Sequence, residues 1–222
     1  ASATAIFGSR GSNGVILVTT KSGKSGAAQF DVNVSGGVSS VPSSFRVRQL
    51  NAQEYVQYYT EKNGGVLPPS LSYWDGKTDT DWQDLIYQNA TYQNYNISAH
   101  GGSDKINYLL SANYINQEGV IIGEGEKKYS TLLKVDYHAS ERVKFGLNLA
   151  PNISTIERSS PYSDWSSLQA QATLLPPTLP VKRPDGTYAY AGDVTGMYPI
   201  GNPLQTAETY KQTYELFRML AG

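Results

Sequence analysis

Strict alternation of apolar and polar residues is the sequence feature that most constrains the fold of this chain. Five segments repeat the pattern, at residues 29–35, 94–100, 106–115, 129–138 and 143–149. In the fourth segment, Leu133 and Val135 fall on one side while Lys134 and Asp136 fall on the other. A period of two residues belongs to extended strands and not to helices. The sequence therefore predicts an all-β fold, with a sixth strand beginning at about Glu208.

Tyrosine marks the ends of the apolar stripes. The chain has 17 Tyr beside 5 Phe and 3 Trp. Tyr129 and Tyr137 lie eight residues apart, which is about 26 Å along a strand. For a strand tilted by about 40° this is a height of about 20 Å, which approaches the ~25 Å apolar band between the aromatic girdles of a membrane barrel. This spacing favours an antiparallel transmembrane β-barrel. A soluble β-sandwich that binds carbohydrate stays open, because it also places polar residues outside and uses tyrosine.

The connections between the predicted strands alternate in length. Residues 101–104 and 139–142 form short turns, whereas about 41–93 and 158–206 are long. Outer-membrane barrels have short periplasmic turns and long extracellular loops. We therefore expect the two long segments to be extracellular loops, with a short helix at 51–63 and a helical turn capped by Thr80 in the first of them.

Composition and charge exclude several functions. The net charge of -1 lacks the excess of Lys and Arg that marks a nucleic-acid-binding domain. The absence of Cys excludes thiolate nucleophiles, thiolate metal sites and disulfides. We expect no catalytic residue, cofactor or metal site. A glycoside-processing enzyme is the third hypothesis, because carboxylate pairs cannot be judged without their geometry.

Aromatic residues in the long loops are the candidate ligand-binding residues. Flat rings stack on sugar faces and on peptide side chains and lose little entropy when they are buried. Alternatively, these rings pack the loops on one another or onto a partner protein. Trp74 and Trp82, which also lie in the long loops, have the same two possible roles. The predicted substrate-binding residues are Tyr162, Trp165, Tyr188 and Tyr190.

Two separated motifs give the chain a family resemblance. The first reads Ala5-Ile6-Phe7-Gly8-Ser9-Arg10-Gly11-Ser12-Asn13-Gly14-Val15-Ile16-Leu17-Val18-Thr19-Thr20-Lys21. The second runs from Thr80-Asp81-Trp82-Gln83-Asp84 through Gly101-Gly102-Ser103-Asp104-Lys105 to Tyr114-Ile115-Asn116-Gln117-Glu118-Gly119. Together they resemble SusC/RagA-like TonB-dependent outer-membrane transporters, although that family usually has Tyr where this chain has Phe7.

The resemblance implies a domain organisation, a location and a function. Residues 1–24 would be the C-terminal end of a plug domain, and residues 25–222 the truncated N-terminal part of a larger plugged barrel, with five or six of its strands. Such proteins lie in the bacterial outer membrane, contact its lipid and import oligosaccharides or peptides. They act with a SusD-like surface lipoprotein and with the TonB complex, which contacts a segment upstream of this chain. They are not enzymes.

Overall fold

One antiparallel sheet forms most of the molecule. The computed structural model describes residues 25–161, 165–193 and 200–221, so the motif at 5–21 and the proposed plug segment 1–24 lie outside the described residues. The six strands are β1 (Gly26–Ser39), β2 (Ala90–Gly102), β3 (Ile106–Glu118), β4 (Gly125–His138), β5 (Lys144–Arg158) and β6 (Gln212–Ala221).

The sheet is an open meander. Its strand order is β1-β2-β3-β4-β5-β6, and each strand pairs antiparallel with the next one in the sequence. Within the described part of the chain, β1 and β6 pair on one side only, so both are edges of the sheet. Unpaired edges cannot lie in hydrocarbon, because their backbone groups would have no hydrogen-bond partners. The sheet therefore needs further strands to close inside a membrane.

The register aligns the apolar stripes of neighbouring strands into one continuous face. One row of this outward face crosses all six strands at Val34, Tyr95, Tyr114, Tyr129, Ile153 and Phe217. Toward the short turns the face continues through Leu110, Leu133 and Leu149 to the pair Tyr137 and Phe145. Its side chains are exposed, for example Phe30 at 73% and Phe217 at 65%. An exposed apolar face of this extent fits contact with lipid.

The outward face becomes polar just beyond the tyrosine row. The next row toward the long connections consists of Gln93, Asn116, Lys127, Thr155 and Glu215. The opposite face of the sheet carries a row of amides, a hydroxyl and a guanidinium, at Asn33, Asn96, Asn113, Ser130, Asn152 and Arg218. An apolar band that ends in tyrosines and faces away from a polar surface is the pattern of a membrane barrel wall.

The soluble β-sandwich is excluded by this arrangement. A sandwich would bury the apolar stripes against a second sheet. The described residues form one sheet, and its apolar face is exposed.

In the described parts of the long connections there are four α-helices: α1 (Ala52–Lys62), α2 (Trp82–Ile86), α3 (Leu168–Leu174) and α4 (Pro203–Thr209). Asn51 and Glu54 form a capping box at the start of α1, and after α1 the chain turns through Gly64 and Gly65, whose φ angles of 71° and 85° favour glycine. Among the described residues, no helix has the length and apolar character needed to cross a membrane.

Two local predictions are wrong. Glu208 belongs to α4 and not to a strand, because Asn202 and Pro203 begin a helix there and β6 starts only at Gln212. The cap of α2 is Asp81, whose carboxylate accepts from the backbone N–H of Asp84, whereas the hydroxyl of Thr80 donates to the carbonyl of Leu179.

Candidate functional site

Three connections gather at one edge of the sheet and form what we call the loop cap, the described residues among 40–89, 119–124 and 159–211. They join β1 to β2, β3 to β4 and β5 to β6, and strands of an antiparallel meander return every second connection to the same edge. The cap has its own buried core, contributed by all three connections: Trp82, Ile86, Ile121, Leu168, Leu175 and Leu179.

Hydrogen bonds tie the first connection to the third. The indole N–H of the buried Trp82 donates to the carbonyl of Pro176 at 3.0 Å. The Tyr73 and Thr178 hydroxyls lie 2.6 Å apart. Partial burial raises the pKa of the Tyr73 phenol, and its bond with Thr178 opposes the rise. Trp82 is therefore a core residue, as the packing interpretation of the loop aromatics predicts.

Asn202 organises the third connection. Its side chain is fully buried, and its amide N–H groups donate to the carbonyls of Val181 and Ala189 at 2.9 and 3.0 Å. Its amide oxygen accepts from the backbone N–H of Leu204 and so caps α4. One amide therefore holds the ends of the 181–189 hairpin and the start of a helix together.

The middle connection contacts the first and third connections next to Gly123. The Ile122 N–H donates to the Ile86 carbonyl at 3.0 Å, and the Ser159 hydroxyl donates to the Ile122 carbonyl at 2.6 Å. Gly123 has a φ of 73°, and a Cβ there would lie 2.8 Å from Cβ of Ser159. The backbone conformation and the close approach both require glycine.

The structure places the four predicted substrate-binding residues differently. Trp165 is 76% exposed and precedes α3. Tyr188 is half-buried and Tyr190 is exposed, on one hairpin with the buried Ala189 between them. Tyr162 lies outside the described residues. Their contact with a ligand stays a prediction.

Each of the two hairpin tyrosines has a cation over its ring. The Lys182 ammonium lies 4.8 Å from the ring centre of Tyr188, and the Arg183 guanidinium lies 5.2 Å from that of Tyr190. The Tyr188 hydroxyl donates to the Glu208 carboxylate at 2.5 Å, and this bond raises the pKa of the phenol. Cation–π contacts and this hydrogen bond orient both rings, so one face of each is already covered.

Two grooves in the loop cap are lined by polar residues that are not among the predicted binding residues. One, of about 470 Å³, includes Tyr73, Asp75, Lys182 and Arg183 in its lining. The other, of about 540 Å³, is lined by polar groups that include Arg46, Arg48, Gln49, Asn51 and Asp79. The sequence signal for the first is the turn 183–187, which directly precedes the two tyrosines; the second is formed by residues distant in sequence and has no local signal.

Three carboxylates of the first connection have structural roles. Asp79 accepts from the Ala52 N–H at 2.8 Å, Asp81 caps α2, and Asp84 pairs with Arg46 at 3.0 Å. His100 lies 3.6 Å from Asp31 on the polar face of the sheet. No group of three or more His, Asp or Glu in the described ranges could hold a metal ion.

The chain is similar to known receptors in sequence and to solved structures in fold. No family model matches the chain. It is 33% identical to TonB-dependent receptor P3 of Formosa agariphila over 235 residues, covering 96% of this chain and 22% of the receptor. It is 32% identical to TonB-dependent receptor SusC of Bacteroides thetaiotaomicron over 193 residues, covering 86% of this chain and 18% of SusC.

The chain belongs to the TonB-dependent receptors of the SusC/RagA-like type. It spans about a fifth of the curated receptors that it matches.

Solved structures show the fold of this receptor segment. The RagAB peptide transporter gives a TM-score of 0.71 at 22% identity, over 99% of this chain and 28% of the matched chain. The RagAB peptide importer in its open-open state gives 0.69 at 23% identity, over the same shares. The predicted antiparallel barrel segment is confirmed, and so is the predicted location in the bacterial outer membrane.

Proposed function

We propose that this receptor segment is part of the wall and of the extracellular loops of an importer that takes up oligosaccharides, or peptides, through the outer membrane. Residues 1–24 would end its plug, and the loop cap would lie on the cell surface. The observation that carries the proposal is the exposed apolar band on one face of the sheet, with a polar opposite face and a packed loop cap at one edge. The whole receptor would act with a SusD-like lipoprotein and draw energy through TonB, without catalysing a reaction.

The loop cap supports ligand contact because it combines a rigid core with exposed rings. Trp82, Asn202 and Gly123 fix its backbone, whereas Trp165 and Tyr190 stay exposed. Rings carried on a rigid backbone bind a ligand at a smaller entropic cost than rings on a mobile loop. We place the substrate-binding role on Tyr162, Trp165, Tyr188 and Tyr190.

Uptake by cells that express the whole receptor tests the proposal. Trp165→Ala and Tyr190→Ala should each lower uptake of a labelled oligosaccharide or peptide at least tenfold at low substrate concentration. Tyr58→Ala is the matched control, because Tyr58 is 51% exposed on α1 and lies outside the predicted set. Equal uptake by all three variants would contradict a substrate-binding role for Trp165 and Tyr190. Uptake that persists without TonB would contradict active import.

A mixture of oligosaccharides and peptides, offered together and analysed by mass spectrometry, separates the two substrate classes. Co-purification of a lipoprotein with the receptor tests the partner. The proposal as a whole would be contradicted by a receptor that binds no oligosaccharide, no peptide and no lipoprotein.

A further inference from the structure

The groove of about 470 Å³ lies where the first connection of the loop cap meets the third. Hydrogen bonds between the two connections hold its sides together. The Tyr73 and Thr178 hydroxyls lie 2.6 Å apart. The Thr80 hydroxyl donates to the carbonyl of Leu179, and the Thr80 N–H donates to the carbonyl of Pro177, each at 2.8 Å. The groove is therefore preformed, and its volume lies in the range of roughly 300–1,000 Å³ that is usual for small-ligand sites.

Charged groups of opposite sign line the two sides of the groove. Lys182 and Arg183 belong to the third connection, and Asp75 belongs to the first. The rings of Tyr188 and Tyr190 hold the two cations in place, with ring centres 4.8 and 5.2 Å away. Hydrogen bonds from backbone N–H groups of its own turn lower the pKa of the Asp75 carboxyl, so it is ionised at neutral pH. A ligand in the groove meets two cations on one side and a carboxylate on the other.

The remaining lining from the third connection is mostly apolar. It consists of Thr178, Leu179, Pro180, Pro184 and Ala189. Pro180 is half-buried and Pro184 is exposed, so the two proline rings offer apolar surface to a ligand. An apolar side chain gains roughly 25 cal/mol for each Å² that it buries there. A sugar ring would instead place hydroxyl groups against surface without a hydrogen-bonding side chain, which costs free energy.

Two more carboxylates lie next to the cations, outside the lining of the groove. Asp185 accepts from the N–H and the hydroxyl of Thr187, at 2.9 and 2.6 Å. Glu208 accepts from the hydroxyl of Tyr188, whose ring contacts Lys182. The positive and negative charges around the groove thus nearly balance. Such a region does not attract a polyanion such as an acidic oligosaccharide, whereas it suits a ligand with polar groups of both kinds.

We propose that the groove binds the C-terminal end of an oligopeptide. The terminal carboxylate lies at Lys182 and Arg183, and a backbone N–H of the peptide donates to Asp75. The last side chain, an apolar one, lies against Pro180 and Pro184. This inference rests on the proposed import function and selects peptides from its two substrate classes. An acidic side chain offers the same carboxylate chemistry, but a C-terminal amide removes only the charge of the terminus.

Two libraries of hexapeptides with the same composition test the proposal, one with free C-terminal carboxylates and the other with C-terminal amides. The purified whole receptor is separated from unbound peptides by size exclusion, and mass spectrometry quantifies the retained ones. We expect a roughly tenfold preference for the free carboxylate, because hydrogen bonds to charged groups are the stronger ones, with apolar residues enriched at the last position. Lys182→Gln combined with Arg183→Gln should abolish the preference and leave retention of the amidated peptides unchanged.

Two further variants serve as controls. Lys62→Gln removes a cation that lies over the rings of Tyr58 and Tyr59 on α1, outside the groove, and should keep the preference. Lys182→Arg combined with Arg183→Lys keeps both charges and should keep most of the preference as well. The comparison shows whether the glutamine variant acts through charge or through a disrupted hairpin.

Equal retention of both libraries by the native receptor would overturn the proposal, and so would a preference that survives the loss of both cations. Retention of an oligogalacturonate in place of peptides, lost in the glutamine variant, would also overturn it, by assigning the groove to an acidic oligosaccharide. Uptake assays separate this inference from the import function. Equal import of a neutral oligosaccharide by all variants, without peptide retention, would leave the import function standing and overturn the peptide site.

Discussion

The rings of Tyr114 and Tyr129 face each other across the β3–β4 pair, with centres 4.8 Å apart, in the last apolar row before the polar one. Two residues farther toward the loop cap, the same outward positions are Asn116 and Lys127, which also pair with each other. The apolar band therefore ends at the same level on both strands, because the register pairs tyrosine with tyrosine and the polar residues with each other.

Charge placed in the middle of the band should destabilise the receptor. Leu133→Arg introduces a guanidinium in the outward row that pairs with Leu110 and Leu149, and a charged residue at the bilayer midplane costs about 2–4 kcal/mol. Leu132→Arg is the control, because Leu132 is the adjacent residue on the opposite face. Urea unfolding of the whole receptor in lipid vesicles gives the free energy of unfolding of both variants. Equal losses in the two variants would argue against a lipid-facing Leu133.

Loss of the Asn202 amide should loosen the loop cap. Asn202→Ala leaves the carbonyls of Val181 and Ala189 without their donor and removes the cap of α4, which together cost roughly 2–4 kcal/mol. Asn63→Ala removes one amide donor from an exposed bond to Val66 and should cost less than about 1 kcal/mol. Limited proteolysis of 181–211 compares the two variants. Similar cleavage rates would show that the buried amide has no special role.

Alanine at Gly123 should cost more than alanine at Gly186. Both glycines have positive φ, 73° and 85°, so each substitution carries about 1–2 kcal/mol of backbone strain. Only at Gly123 does the new Cβ also meet Cβ of Ser159, 2.8 Å away, whereas at Gly186 the space is open. Thermal unfolding of the two variants measures the difference. Ser159→Gly alone removes the hydrogen bond to Ile122, so it serves as the reference: Gly123→Ala should cost less in the Ser159→Gly background than in the native chain, and an equal cost in both would contradict the steric explanation.

Acid should remove the contribution of Asp75 to the loop cap. The backbone N–H groups of Thr78 and Lys77 donate to its carboxylate and lower its pKa below the ordinary 3.8. A lowered folded-state pKa stabilises the fold above pH 3.8, and this contribution disappears as the pH falls through the lowered value. The stability advantage of the native chain over Asp75→Ala should therefore be constant near pH 6 and decrease below pH 3.8. An advantage that grows on acidification would contradict the hydrogen-bond assignment.

The sheet could be predicted because its signal is local. Alternation within β4 already separates Leu133 and Val135 from Lys134 and Asp136, and barrel strands place such residues on opposite faces. Strand ends were harder to predict, since β5 continues through Pro151 to Arg158, and a proline in a sequence weakens the prediction of a strand. The sequence pattern predicts strand at Glu208, where the structure has a helix that ends at Thr209. The cap of this helix, Asn202, is held by carbonyls 13 and 21 residues away, and a local pattern does not contain such contacts.

The loop cap could be predicted only in part. The helix at 52–62 has a local capping signal in Asn51 and Glu54. The core around Trp82 joins residues whose contacts lie up to 94 positions apart, such as the indole bond to Pro176, and a single sequence carries no local sign of such a pair. Likewise, the sequence does not predict that Lys182 and Arg183 contact the rings of Tyr188 and Tyr190, because these contacts depend on how the hairpin folds.

A nitroxide scan of positions 130–136 in the whole receptor, reconstituted in bilayers, would show directly which face of β4 contacts lipid. Collision rates with oxygen, which concentrates in lipid, and with a water-soluble nickel complex would be measured at each position. We expect lipid access at 131, 133 and 135 and reduced lipid access at 130, 132, 134 and 136. Uniform access to water at 131, 133 and 135 would contradict it.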